Sequence, residues 1–354
     1  MSKISASRSA SRSVSKRASA SRREIELSAH RKNLVAANVL SHLAAEHGTG
    51  KGITGFFSPE ELAELRLVST GFKEAVGRAP INDVTKIVKG SLSGWRRSFP
   101  NAKAINISDR DDLTNADFVH LKGLETVIMD WCSLASVTNE AFENLKGIKM
   151  LSMKLSTNNQ HITDAAFEHL KGIRNLNIYR CTELGITDEA FEHLKGIHTL
   201  DMSVCDQEGI TDAAFVHLKG IHTLYMEYCN QAGITDAAFV HLEGIHELDM
   251  MDCNQVTITD AAFFHLKGID RLIMRDCNQL GITDAAFVHL KGIKMLDITG
   301  CTQPGITATG SLCDLHGATI VGKQLTCATR GARGGKGKTR SNRRKGTKKA
   351  AKRR

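Results

Sequence analysis

Aromatic side chains are scarce in this 354-residue sequence: they make up 5% of it, with two tryptophans and three tyrosines, and there are only four prolines. Any core must therefore be built mainly from aliphatic residues. No run approaches the roughly 18 to 20 apolar residues that span a bilayer, so no membrane span is expected. Residues 1–23 have no apolar stretch and are not expected to act as a secretory signal. They share Ser/Arg richness with mitochondrial transit peptides, but only Ile4 and Val14 would form an apolar face.

Acid is the other absence. Residues 1–23 hold seven Lys/Arg and residues 330–354 hold thirteen, and neither segment has an Asp or Glu. The formal net charge of +9 thus belongs to the tails. Between them remain 27 basic and 38 acidic residues, a net charge of −11. Polyanion binding is expected at the tails and not in the body. Both tails are low in complexity and apolar content, so disorder is expected at 1–23 and 328–354. The C-terminal tail has no aromatic residue for base stacking. Its Arg343, Arg344, Lys345, Lys348, Lys349, Lys352, Arg353 and Arg354 suit phosphate neutralisation or a nuclear-import signal equally well. A nuclear or cytoplasmic location is expected.

Residues 24–89 read as helical. Leu34, Val35, Val39 and Leu43 share one helix face. Ser58, Pro59 and Glu61 have N-cap, first-turn and capping-box positions. The intervening GTGKGITG (48–55) lacks both a Gly four residues before the Gly-Lys pair and a Ser or Thr directly after it, so it is not a P-loop.

A unit of about 24 residues then recurs, as in LDMSVCDQEGITDAAFVHLKGIHT (200–223). Its first strand positions fall at Ile105, Val127, Leu151, Leu176, Leu200, Leu224, Leu248, Leu272 and Leu296, and Ile320 extends the register. Leu200 and Met202 alternate, which predicts a short strand with both pointing inward. Thr211 is the expected helix cap, with Asp212 at the positive helix end. Ala214, Phe215, Leu218 and Ile221 recur at helical spacing, and Gly220 is the expected terminator. One unit leaves both flanks of its apolar wedge bare, so the units must stack. The fold class predicted is an α/β solenoid over residues 90–327, with a parallel sheet of about nine strands and helices on the opposite face.

Two rows suggest chemistry. A thiol recurs at Cys132, Cys181, Cys205, Cys229, Cys253, Cys277 and Cys301, with Ser156 in the same register. One thiol per rung does not make a tetrahedral cluster, so the row is expected to bond loop backbone in a reducing compartment, without metal. A histidine recurs at His120, His169, His193, His217, His241, His265 and His289, beside the inward Leu, and is expected at a solvated helix position. No catalytic set, cofactor motif or metal cluster stands outside the repeat period, so no enzymatic activity is expected.

The pattern L-x-L-x-x-C followed by I-T-D-x-x-F-x-x-L resembles the cysteine-containing leucine-rich repeats over about 225 residues. That resemblance implies a leucine-rich-repeat solenoid with a concave parallel sheet. Such repeats are frequent in F-box proteins, and SPEELAELRLVSTGFKEAV (58–76) resembles the second and third helices of that motif. The usual opening Leu-Pro is absent, and GTGKGITG interrupts the match. The resemblance implies that Leu62, Leu65, Leu67, Val68 and Phe72 dock the adaptor of an SCF-type ubiquitin ligase while the repeats hold the substrate. The alternative is a structural, virion or nuclear protein that binds DNA through its tails. The near-identical copies are similar in style to repeat proteins of giant DNA viruses and some protists.

Outward strand positions supply the expected protein-binding face: Asp130, Trp131, Tyr179, Arg180, Asp201, Tyr225, Glu227, Tyr228, Asp249, Asp252, Arg275 and Asp276. They include every tyrosine of the chain. Exposed aromatics on a variable face are a binding signal. Excess acid favours a protein partner with a basic patch.

Overall fold

The computed structural model describes residues 82–307 and 310–324. The F-box-like segment and both basic tails lie outside the described residues, so the readings made on Leu62, Leu65, Leu67, Val68 and Phe72, and on Arg343 to Arg354, are not addressed by it.

Ten parallel strands form one sheet in strict sequence order. They are β1 (Ala104–Asn106), β2 (Thr126–Ile128), β3 (Met150–Ser152), β4 (Asn175–Asn177), β5 (Thr199–Asp201), β6 (Thr223–Tyr225), β7 (Glu247–Asp249), β8 (Arg271–Ile273), β9 (Met295–Asp297) and β10 (Thr319–Val321). The register matches the repeat, pairing Leu200 with Leu224 and Leu224 with Leu248. The degenerate last unit still pairs, Ile320 opposite Leu296, so the sheet has one strand more than expected. Helix α1 (Leu92–Ser98) covers the first rung with buried Leu92, and Phe99 is buried directly after it.

Each repeat buries the same wedge. Leu224, Met226, Cys229, Ile234, Ala238, Phe239, Leu242 and Ile245 are all at most 1% exposed. Fully buried phenylalanines recur from Phe118 to Phe287, one per rung. Eight of the chain's thirteen phenylalanines are spent on this one interior row.

The return segment is tighter than the helical spacing predicts. In the fifth unit α-helix covers only Asp212–Phe215, and a 3-10 turn covers Val216–Leu218. Lys219 then leaves helical space at φ −54°, ψ 123°. Gly220 follows at φ 85°, and Ile221 points into the core. The 3-10 turn advances the chain about 2 Å per residue, against about 1.5 Å in an α-helix, and delivers it to the left-handed glycine that ends the segment.

The capping residues also serve the stack. Thr211 Oγ1 accepts from Ala213 N at 3.3 Å. The Asp212 carboxylate reaches across to the next unit, accepting from Thr235 N at 2.7 Å and Thr235 Oγ1 at 2.6 Å. The same clamp links Asp164 to Thr187, Asp188 to Thr211, Asp236 to Thr259 and Asp260 to Thr283. Asp212 stands in the first turn of its own helix, as expected, and its side-chain hydrogen bonds go to the next rung.

Candidate functional site

Three surfaces meet at the sheet. Its open face carries the side chains that alternate away from the core. Its exit edge is the set of turns that follow the strands. Its entry edge is the set of turns that lead from each helix into the next strand.

On the open face, Asp201, Tyr225, Glu227 and Asp249 gather on β5, β6 and β7 and the residues that continue them. Asp201 accepts from Asn177 Nδ2 at 2.9 Å and Ser203 N at 3.1 Å. Asp249 accepts from Met251 N at 3.1 Å and is only 6% exposed. Burial raises the Asp201 and Asp249 carboxyls above their ordinary range. Burial, with the Asp249 charge beside it, pushes Glu227 up to about 7. Glu227 and Asp249 are in hydrogen-bond contact, so the pair shares a proton near neutrality. A carboxylate group short of cations favours a positively charged visitor.

Other expected face residues are already engaged. Asp130 is 9% exposed and accepts from Ser152 Oγ at 2.5 Å, with Lys154 Nζ at 3.5 Å. Arg275 grips Asp297 through Nε and Nη2, both at 2.6 Å. Burial alone would raise the Asp297 carboxyl, but the bonds from Thr299 and Arg275 hold it below the usual range. Tyr179 is half-buried.

The exit edge has a property the sequence does not display. Trp131, Arg180, Tyr228, Asp252 and Asp276 all sit at φ between 55° and 60°, in the left-handed region. Leu155 and Val204 share the conformation, and Gly300 occupies the same register at φ 75°. Each amide is tied to the neighbouring strand, as in Tyr228 N to Met251 O at 2.8 Å. The pairing enforces a conformation that costs a non-glycine residue about 1 kcal/mol or more. Trp131 (61% exposed) and Tyr228 (45% exposed) are four rungs apart, about 19 Å at sheet spacing, so they do not form one aromatic patch.

The cysteine row is architectural. Each Sγ donates to a carbonyl of the preceding unit, for example Cys229 to Met202 O at 3.2 Å and Cys253 to Met226 O at 2.9 Å. Ser156 does the same to Met129 O at 3.0 Å. Burial pushes Cys132 and Cys301 up to about 11 and Cys181 and Cys229 up to about 12. These thiols stay protonated and unreactive at neutral pH. Cys313, outside the row, is disulfide-bonded, so the expectation of reduced cysteines does not extend to it. The carbonyls of Cys181, Cys205, Cys229, Cys253 and Cys277 are in turn each reached by a glutamine one unit on, as Gln231 Nε2 to Cys205 O at 2.6 Å. Among the described residues no group of three or more His, Cys, Asp or Glu is placed to hold a metal ion, and no helix is long and apolar enough to cross a membrane.

The expected histidine row is half-buried rather than solvated, and the Nδ1 atoms of His169 and His217 are buried without a partner. A second histidine row was missed. His198, His222 and His246 lie at the entry edge, two residues before each strand leucine, with rings stacked at 4.5 and 4.2 Å. Burial first, then the two neighbouring imidazoles, lowers the His222 pKa. Their identical spacing in the repeat was the available signal; only the ladder shows that the rings touch.

No protein-family model matches this chain, and no curated protein sequence matches it. Solved structures do. One is the TLR13–ssRNA13 complex, with 20% identity and a TM-score of 0.55 over 72% of this chain and 37% of that one. The Toll–Spatzle complex from Drosophila matches with 12% identity and a TM-score of 0.43 over 72% of this chain and 40% of that one. Rad7 in its complex with Elc1 from yeast matches with 13% identity and a TM-score of 0.38 over 88% and 97%. This chain thus spans well under half the length of the first two. At these identities the likeness concerns architecture: the ten-stranded parallel array with helices between its strands is a leucine-rich-repeat solenoid.

Proposed function

We propose that this protein is a non-catalytic binding scaffold whose open sheet face and exit edge hold a protein partner bearing a basic patch. The observation that carries this reading is the left-handed row. Trp131, Arg180, Tyr228, Asp252 and Asp276 keep large or charged side chains where glycine would relieve strain. Strain retained under large or charged side chains on an exposed edge, beside the desolvated Asp201, Glu227 and Asp249, supports a contact surface there. Arginine or lysine side chains of the partner would neutralise the carboxylates, and Tyr228 and Tyr225 would supply amphipathic contact area.

The finer reading is an F-box-type substrate receptor of an SCF-like ubiquitin ligase. It rests on the resemblance of residues 58–76, which would dock the adaptor through Leu62, Leu65, Leu67, Val68 and Phe72. One pull-down from host extract tests both levels. Wild type should retain the adaptor and a basic target. The variant Leu65→Asp/Val68→Asp should lose the adaptor alone. The variant Tyr228→Ala/Asp252→Lys should lose the target alone. Adaptor retention by the first variant, or no adaptor on wild type, removes the ubiquitin-ligase reading; target retention by the second removes the binding face.

A further inference from the structure

Beyond the left-handed residues, the exit edge carries an apolar row. Ala232, Val256, Leu280 and Pro304 lie three residues after the row cysteine in four successive units, and all four are exposed. Val256 is 85% and Leu280 77% exposed, more than any other large hydrophobic residue described. Packing does not impose apolar side chains here, because exposed Glu208 holds the same register one unit earlier. Single exposed apolar residues are ordinary on a folded protein, but four on consecutive rungs form a continuous strip and mark a contact surface.

The strip is built on a fixed backbone. Asn230 Oδ1 accepts from Asn254 N at 2.7 Å, Asn254 Oδ1 from Asn278 N at 2.7 Å, and Asn278 Oδ1 from Thr302 N at 2.8 Å. These bonds tie each turn to the next directly beneath the apolar row. Little ordering is left to be done when a partner arrives.

Its charge is one-sided. The turns 202–211, 226–235, 250–259, 274–283 and 298–307 hold five acids, Asp206, Glu208, Glu227, Asp252 and Asp276, against one cation, Arg275. Arg275 is already spent on Asp297. The occupant must therefore bring both apolar side chains and positive charge. The chain's own C-terminal tail has the charge, but after Cys327 its only apolar residues besides glycine are alanines, so it cannot cover Val256 and Leu280.

Spacing selects the occupant's conformation. Rungs stand about 4.8 Å apart, so the four-rung strip is about 14 Å long. An α-helix lying along it repeats every 5.4 Å or so and drifts by about 2 Å over that length, which side chains absorb. Same-face residues of an extended strand repeat every ~6.7 Å and drift by about 6 Å, more than a full rung. A polyproline helix repeats about every 9.3 Å and meets alternate rungs alone.

We infer that this edge is the docking site of a basic amphipathic α-helix of a partner protein, laid along the stack with its apolar seam on Val256 and Leu280 and its Lys or Arg flank toward Asp252 and Asp276. The inference rests on the exit edge being the site of a basic partner, and it gives that partner a shape. Helix recognition of this kind reads an apolar face at i, i+3, i+4 and i+7.

The test uses the full-length protein and a fluorescein-labelled synthetic peptide of leucine, lysine and alanine, about four turns long, with its leucines on one helix face. Fluorescence anisotropy should show binding by wild type. Val256→Ser/Leu280→Ser should bind at least tenfold more weakly. Asp252→Asn/Asp276→Asn should also lose at least tenfold, and its remaining affinity should depend less on salt. Val216→Ser/Val288→Ser removes two half-exposed valines from the helix side of the same units and should leave affinity unchanged. A scrambled peptide of the same composition, and one broken by a central proline, should each bind wild type at least tenfold more weakly. Equal binding of the scrambled peptide assigns the edge to any polybasic segment, the chain's own tail included, and overturns the proposal. Equal binding of the proline peptide assigns it to an extended segment and overturns it too, as does no binding by wild type. If Val256→Ser/Leu280→Ser keeps the peptide while Tyr228→Ala/Asp252→Lys loses it, the basic-partner face stands and the helix does not; if both keep it, the face itself falls.

Discussion

At the scale of single residues, the same register can hold different chemistry when the backbone performs the work. Cys229 and Ser156 show this, both donating to a carbonyl of the preceding unit. Glu227 shows the opposite case, where side-chain charge decides. Its carboxyl is raised to about 7 by burial and by Asp249, so the folded state binds a proton that the unfolded chain has released. Stability from this proton is present at low pH and is lost as pH rises from the ordinary glutamate range through about 7. Glu227→Gln should therefore stabilise the protein at pH 8 by about 1 kcal/mol after allowing for solvent screening, and should change nothing at pH 5. Thermal melts at the two pH values check this; equal effects at both would mean that the shared proton does not exist. Binding of a cationic partner should follow the other sign, tightening as pH rises through 7.

Among elements, the inter-unit clamp was only half legible. The sequence marks Thr211 and Asp212 as a helix start, and a helix does start there. It does not show that the Asp carboxylate bonds the next unit, because that bond needs two rungs in place. The molecule contains its own control. Asn115 and Asn139 occupy the aspartate position and bridge Thr138 and Thr163 through both amide atoms, for example Asn139 Oδ1 from Thr163 N at 2.8 Å and Asn139 Nδ2 to Thr163 Oγ1 at 2.8 Å. Asp236→Asn should accordingly cost little. Asp236→Ala strands the Thr259 N–H and hydroxyl and should cost about 1 to 3 kcal/mol. Urea unfolding of the two variants separates them. Equal losses would show that charge, not hydrogen-bond count, holds the clamp.

The whole molecule behaves as a one-dimensional stack, because each rung touches its neighbours alone. Phe239 is fully buried in a central rung. Phe239→Ala should cost about 3 to 5 kcal/mol. Amide exchange should rise first in the units around β6 and β7 and less near β2 and β9. Uniform acceleration from β1 to β10 would mean that the array opens as a single unit.

The repeat period alone determined the architecture: strand positions, inward wedge and buried cysteine row follow from alternation and helical spacing, which depend only on neighbours along the chain. Alternation also marks Asp201, Tyr225, Glu227 and Asp249 as outward, whereas Trp131, Arg180, Tyr228, Asp252 and Asp276 face out because a left-handed turn breaks the alternation after each strand. What the sequence left undecided depends on distance across rungs. Net charge implied an acidic body, and stacking gathers part of that acid at Asp201, Glu227 and Asp249 on the sheet face, because each register becomes a ladder in space. The left-handed strain at Tyr228 and Asp252 arises from pairing with the next strand, and the contact of His198, His222 and His246 exists only once 24 residues of sequence have become one sheet spacing.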